Sequence, residues 1–110
     1  MKSKINFSYI GCSKESLEAK EASFNESQFE DELEKSFETS INVTNINFEI
    51  KENSSQKTER FVVTIIVKSP DGTFDISEKG NDAAKVSRDA IKSVIRNIHK
   101  LKEKKVNDFQ

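Results

Sequence analysis

Apolar and polar residues alternate in KINFSYI (4–10), with Ile5, Phe7 and Tyr9 on one side and Asn6 and Ser8 on the other. A period of two predicts a half-buried strand, which Gly11 ends. Residues 12–23 are polar, with no apolar period, and read as a loop or a frayed helical turn. The period then changes. Phe29, Leu33 and Phe37 recur every four residues, which places them along one face of a helix at about 26–39. Ser27 with Glu30 three positions on is a capping-box pattern, and Glu26, Glu30, Asp31 and Glu32 suit a helix N-terminus.

Alternation returns in VTNINFEIKE (43–52), through Ile46, Phe48 and Ile50, and in TFDISEK (73–79), through Phe74 and Ile76. Between them, RFVVTIIVK (60–68) has apolar residues at both parities, which predicts a strand that is central or covered on both faces. NSSQKT (53–58) is a polar loop, and SPDG (69–72) places Pro and Gly as a type I turn prefers. Connectors this short join antiparallel neighbours, so 43–79 reads as a three-stranded meander. After Gly80, with Asn81 or Asp82 as cap, 83–105 reads as one helix. Ala84, Ile91, Val94, Ile98 and Leu101 form its apolar stripe, flanked by Ala90 and Ile95, and 106–110 is expected to fray.

The expected order is β-α-β-β-β-α: an α+β two-layer sandwich in which a four-stranded sheet packs two helices on one face. At 110 residues the chain is expected to be a single domain, 1–110. No apolar run approaches the ~20 residues of a membrane span. MKSKINFSYI lacks the apolar core of a signal peptide, and Cys12 has no internal partner for a disulfide. A reduced, cytoplasmic setting is expected.

Charge changes the picture. The net charge is only −1, yet residues 15–38 hold nine acids and two lysines, while 83–105 hold eight Lys or Arg and two acids. On the second helix Lys85, Arg88, Lys92, Arg96 and His99 fall within about one quarter of the circumference, opposite the apolar stripe. Lys100, Lys102, Lys104 and Lys105 add charge towards its C-terminal end. Cations suit a helix C-terminus, and any surface helix needs a polar outer face. A solubility face normally mixes signs, however, and this one has only Asp89 and Glu103. A ladder of cations one helical turn apart can follow a phosphate backbone. Three readings of the ladder stay open on these grounds: nucleic-acid contact, an anionic protein partner, and solvation. The basic stripe is too polar, opposite too short an apolar face, to favour a membrane surface.

Catalytic chemistry finds little support. His99 is the only histidine and lies among lysines, which oppose its protonation. Cys12 has Lys14 near it in sequence, but no activating His can be placed beside it. One Cys and one His cannot build a zinc site, and the carboxylates of 26–38 lack calcium-loop spacing. Three glycines, at 11, 72 and 80, make no phosphate-binding loop. No catalytic residue, metal or cofactor is expected, and no small-molecule substrate.

The element order, the Gly that closes INFSYIG, and the passage ISEKGNDAAKVSRDAIKSVIRNIHKLKEKK (76–105) together resemble the ribosome hibernation-promoting factor and ribosome-associated translation inhibitor family, also called the sigma-54 modulation family. The resemblance covers nearly the whole chain in layout and is concentrated at 76–105 in residues. It implies the fold just stated and a non-enzymatic factor that binds the small ribosomal subunit, occupies its decoding channel and inhibits translation through basic residues on rRNA. Arg96, Lys100 and Lys102 match the family's basic positions. Lys85, Arg88, Lys92 and His99 enter only through the helical-face argument. The resemblance implies a divergent short form, without the C-terminal domain that long members use to pair ribosomes. It departs from the pattern where the first helix is acidic and where Ala84 stands in place of an aromatic. The alternative is a protein-interaction module of the same fold. Its acidic helix 26–39, its basic helix 83–105, or both, would bind a protein partner or a second copy.

Overall fold

The computed structural model describes residues 4–37, 43–70 and 72–108, with side chains at 5–36, 43–70 and 72–97. The elements are β1 (Lys4–Ile10), α1 (Lys14–Lys20), α2 (Glu26–Phe37), β2 (Asn45–Glu52), β3 (Phe61–Ser69), β4 (Gly72–Gly80) and α3 (Ala83–Asp108). One sheet runs in the order β1-β2-β3-β4. β1 pairs parallel to β2, across a connection that contains α1 and α2; β2–β3 and β3–β4 are the expected antiparallel meander.

Register explains the two-layer design. Phe7, Phe48, Ile65 and Ile76 share one row, and Ile5, Ile46, Val67 and Phe74 the next, all on one face. Ile46, Phe48, Ile50, Val63, Ile65 and Val67 are essentially inaccessible there, packed with Phe29 and Leu33 of α2 and with Ala90, Ile91 and Val94 of α3. The fold is the expected α+β sandwich, with a third helix. β3 is central, as expected, but not covered on both faces. Its other parity, Val62, Thr64 and Ile66, is only half-buried, because the described helices pack on the opposite side.

The structure departs from expectation at three places. Residues 14–20 form a capped helix rather than a loop or a frayed helical turn. Ser13 caps it by accepting from the Ser16 N–H at 3.1 Å, and Leu17 anchors it in the core at 1 % exposure. A single buried residue leaves no apolar period to detect. The cap of α2 is Asn25, not Ser27. Asn25 Oδ1 accepts from the Gln28 N–H at 3.1 Å, and its carbonyl accepts from Phe29 N–H. α3 runs three residues past the expected end at 105. Residues 38–39 of the expected first helix, residue 71 of the SPDG turn and residues 109–110 of the tail lie outside the described residues.

Gly11 is required where β1 ends. Its φ is +71°, and a Cβ there would meet the Glu52 carbonyl oxygen at 2.5 Å. An alanine would therefore suffer both left-handed backbone strain and a clash with main chain that cannot swing aside.

Candidate nucleic-acid interface

α3 is fixed at its start by two carboxylates. Asp82 is its cap, with Oδ1 accepting from the Lys85 N–H at 3.2 Å and its carbonyl from Val86 N–H at 2.9 Å. The remaining orphan donors are met from far along the chain. Glu21, just past the end of α1, accepts from Ala83 N–H at 3.1 Å and from Ala84 N–H at 2.9 Å. Burial, and then contact with Asp82, push the Glu21 carboxyl above its usual range. The same contact, with the Lys85 N–H, holds Asp82 below its own. The two carboxyls touch and titrate as a pair.

From this start α3 buries Ala83, Ala84, Val86, Ser87, Ala90, Ile91 and Val94, with Ile95 packed at the margin. Ala84, Ile91 and Val94 are the expected stripe. Ile98 and Leu101, the rest of the expected stripe, lie on helical backbone with side chains outside the described residues. Helix and sheet approach closely at this end. A Cβ on Gly80 would lie 2.7 Å from Val86 Cγ2.

With that stripe facing the sheet, Lys85, Lys92 and Arg96 are exposed and Arg88 is half-exposed. The structure therefore brings four of the expected cations onto one outward face. Among the described residues the only ion pair is Arg60–Glu52 at 2.7 Å, so none of these four is ion-paired to a described carboxylate, although Asp82 lies near enough to Arg88 to feel its charge. His99, Lys100 and Lys102 lie within the helical backbone of α3, with side chains outside the described residues.

The acidic side of the molecule is built differently. Glu26 Oε2 accepts from the Tyr9 hydroxyl at 2.6 Å, which ties the start of α2 to β1. Burial first, and then this carboxylate, push the Tyr9 phenol far above its usual value. Asp31 is exposed and Glu30, Glu32 and Glu34 are half-exposed, while Phe29 and Leu33 point inward.

Cys12 is half-buried beside the carbonyls of Ile10 and Ile50, at 3.6 and 3.7 Å. Burial and the Glu52 carboxylate push its thiol up, the opposite of what an activated nucleophile needs. Among the described residues no group of three or more His, Cys, Asp or Glu is placed to hold a metal ion. No described helix is long and apolar enough to cross a membrane.

Sequence reasoning missed the Glu21 clamp on α3. SKESLEAK does carry a cap, an early acid and a late lysine, which together signal a short helix. Nothing local announces that Glu21 reaches a helix start more than sixty residues away.

No family model and no curated protein matches the sequence. The fold, however, is similar to the solved structure of a ribosomal subunit interface protein from Coxiella burnetii. The TM-score is 0.67 over 91 % of this chain and 98 % of that one, at 16 % identity. At that identity the likeness is one of fold.

Proposed function

We propose that this chain is a non-enzymatic, cytoplasmic ribosome-binding factor. It occupies the decoding channel of the small subunit and inhibits translation, with the outer face of α3 on rRNA. The observation that carries this reading is the likeness, over nearly the whole of both chains, to a ribosomal subunit interface protein. The outward cations of α3 support it. Lys85, Arg88, Lys92 and Arg96 stand one turn apart and none is ion-paired to a described acid, and each phosphate they neutralise would release condensed counterions. His99, Lys100 and Lys102 would extend the same track.

The work asked of such a protein is binding and exclusion, with no bond made or broken. Rigidity of α3 serves it, since a helix clamped by Glu21 and Asp82 presents its cations in fixed relative positions and loses little entropy on binding. Co-sedimentation with purified small subunits at ~50 and ~200 mM salt tests the reading, because phosphate contacts weaken steeply over that range. Saturable binding at the lower salt is expected, lost at the higher salt and lost in Lys92→Glu with Arg96→Glu. Absence of binding at both salts would overturn it.

A further inference from the structure

We propose that a hollow on the open face of the sheet is a second RNA contact, one that takes the sugar-phosphate backbone of a single strand without regard to base. The inference rests on the RNA-binding reading of α3 and adds a surface on the opposite side of the molecule. The hollow has a volume of about 270 Å³ and is lined by Lys51, Asn53, Gln56, Glu59, Val62 and Lys79. Three strands build it. Lys51 of β2 pairs with Val62 of β3, and Val62 with Lys79 of β4, so two exposed lysines bracket one valine. From strand spacing their Cα atoms are ~10 Å apart. The row ends at Ile10, 44 % exposed, and contains no acid. Its nearest carboxylate on the same strand face is Glu49, half-buried one row along.

The β2–β3 loop closes one end of the hollow and is held in shape. Asn53 N–H donates to the Arg60 carbonyl at 2.8 Å, Gln56 N–H donates to the Asn53 carbonyl at 3.1 Å, and Asn53 Oδ1 accepts from Ser55 Oγ at 2.7 Å. Glu52 does not oppose an anion here. Its side chain is 8 % exposed, is paired with Arg60, and belongs to the core-facing parity of β2. Glu59 is the one acid of the lining, held at a φ of +55°, a strained conformation for a residue with a side chain.

The chemistry of the lining selects the ligand. Two ammoniums and the side-chain amide nitrogens of Asn53 and Gln56 are donors that suit phosphate oxygens and ribose hydroxyls. Val62 offers an apolar floor, but no aromatic ring is present on which a base could stack. Backbone contact without sequence preference follows. With α3 on one side and this hollow on the other, the protein suits an RNA-lined slot better than a flat RNA surface.

The probe is hexauridylate, titrated into the full chain at ~50 mM salt and followed by amide shifts. Shifts at Lys51, Asn53, Gln56, Val62 and Lys79 are expected, and are expected to vanish in Lys51→Gln with Lys79→Gln. The slope of log affinity against log salt should fall by about 1.4, the share of two single-strand phosphates. Lys68→Gln, exposed elsewhere on the same face, should change neither, and Glu59→Gln should tighten binding. Shifts confined to α3, or an equal response to Lys68→Gln, would overturn the proposal. Co-sedimentation with small subunits separates the two readings. If the α3 double reversal releases the subunit while the hollow stays silent to hexauridylate, α3 binds RNA and this site does not. If hexauridylate fills the hollow and subunits never bind, the site stands and the ribosomal reading falls.

Discussion

α2 and α3 pack beside one another over the same sheet and bury their inner faces for the same reason, yet their outer faces carry opposite charge. Phe29 and Leu33 fix α2 to the core as Ala90, Ile91 and Val94 fix α3. Outward, α2 shows Glu30, Asp31 and Glu34, and α3 shows Lys85, Lys92 and Arg96. Folding requires that an outer face be polar but is nearly indifferent to its sign. The segregation of sign therefore points to partners rather than to stability. It also orients the molecule. A phosphate-rich surface would draw α3 in and hold the acids of α2 away.

The comparison breaks most visibly if α2 is disturbed from inside. Phe29 lies 5.3 Å from Phe24, edge to face, and stacks over Phe48 at 6.2 Å. Phe29→Ala should lower unfolding free energy by ~4 kcal/mol, read by chemical denaturation, because a large aromatic leaves a cavity that a packed core fills poorly. The outer face of α3 should behave in the reverse way. Lys92→Glu with Arg96→Glu should leave stability within ~0.5 kcal/mol while lowering small-subunit affinity by about a hundredfold. That is the loss of two charge-assisted contacts worth ~1.5 kcal/mol each.

Smaller effects sharpen the link between the two sides. Glu21→Ala removes the acceptor for two N–H groups at the start of α3 and should cost ~1 kcal/mol of stability. Its pH dependence has a definite sign. The Glu21 carboxyl is raised, so its contribution is full below the unfolded value and is lost as pH rises through the folded one. Asp82 is lowered, so its contribution is present above the unfolded value and is lost as pH falls through the folded one. The pair therefore stabilises most between those two folded values, when it holds one proton. Glu21→Gln should abolish the decline on the alkaline side of that window, measured as denaturation midpoint against pH. The smallest effect belongs to the outer face of α2. Asp31→Asn with Glu34→Gln should leave stability within ~0.5 kcal/mol and raise RNA affinity a few-fold at low salt only.

Much of this was legible in the chain. Alternation marked β1, β2 and β4 because a half-buried sheet writes period two directly, a four-residue repeat marked α2, and a spacing of three and four marked the stripe of α3. Where the signal was thin, reading failed. Leu17 alone cannot show a period, so α1 read as a loop or a frayed helical turn. Ser27 with Glu30 and Asn25 with Gln28 both fit a helix start, and only the geometry chose Asn25. The cations of α3 were visible because they share one helix. The hollow of Lys51, Val62 and Lys79 was not, since strand register alone brings those three together. The Glu21 clamp likewise depends on where the α1 end docks, which no local pattern records.

The most direct test of the central claim is the salt dependence of small-subunit affinity. It should be measured for the wild type, for a variant with Lys85, Arg88, Lys92 and Arg96 each changed to Gln, and for Asp31→Asn with Glu34→Gln. If α3 is the RNA-facing surface, the slope of log affinity against log salt falls by about 3 in the α3 variant, the share of roughly four phosphate contacts, and does not fall in the α2 variant. An unchanged slope in the α3 variant would contradict the account.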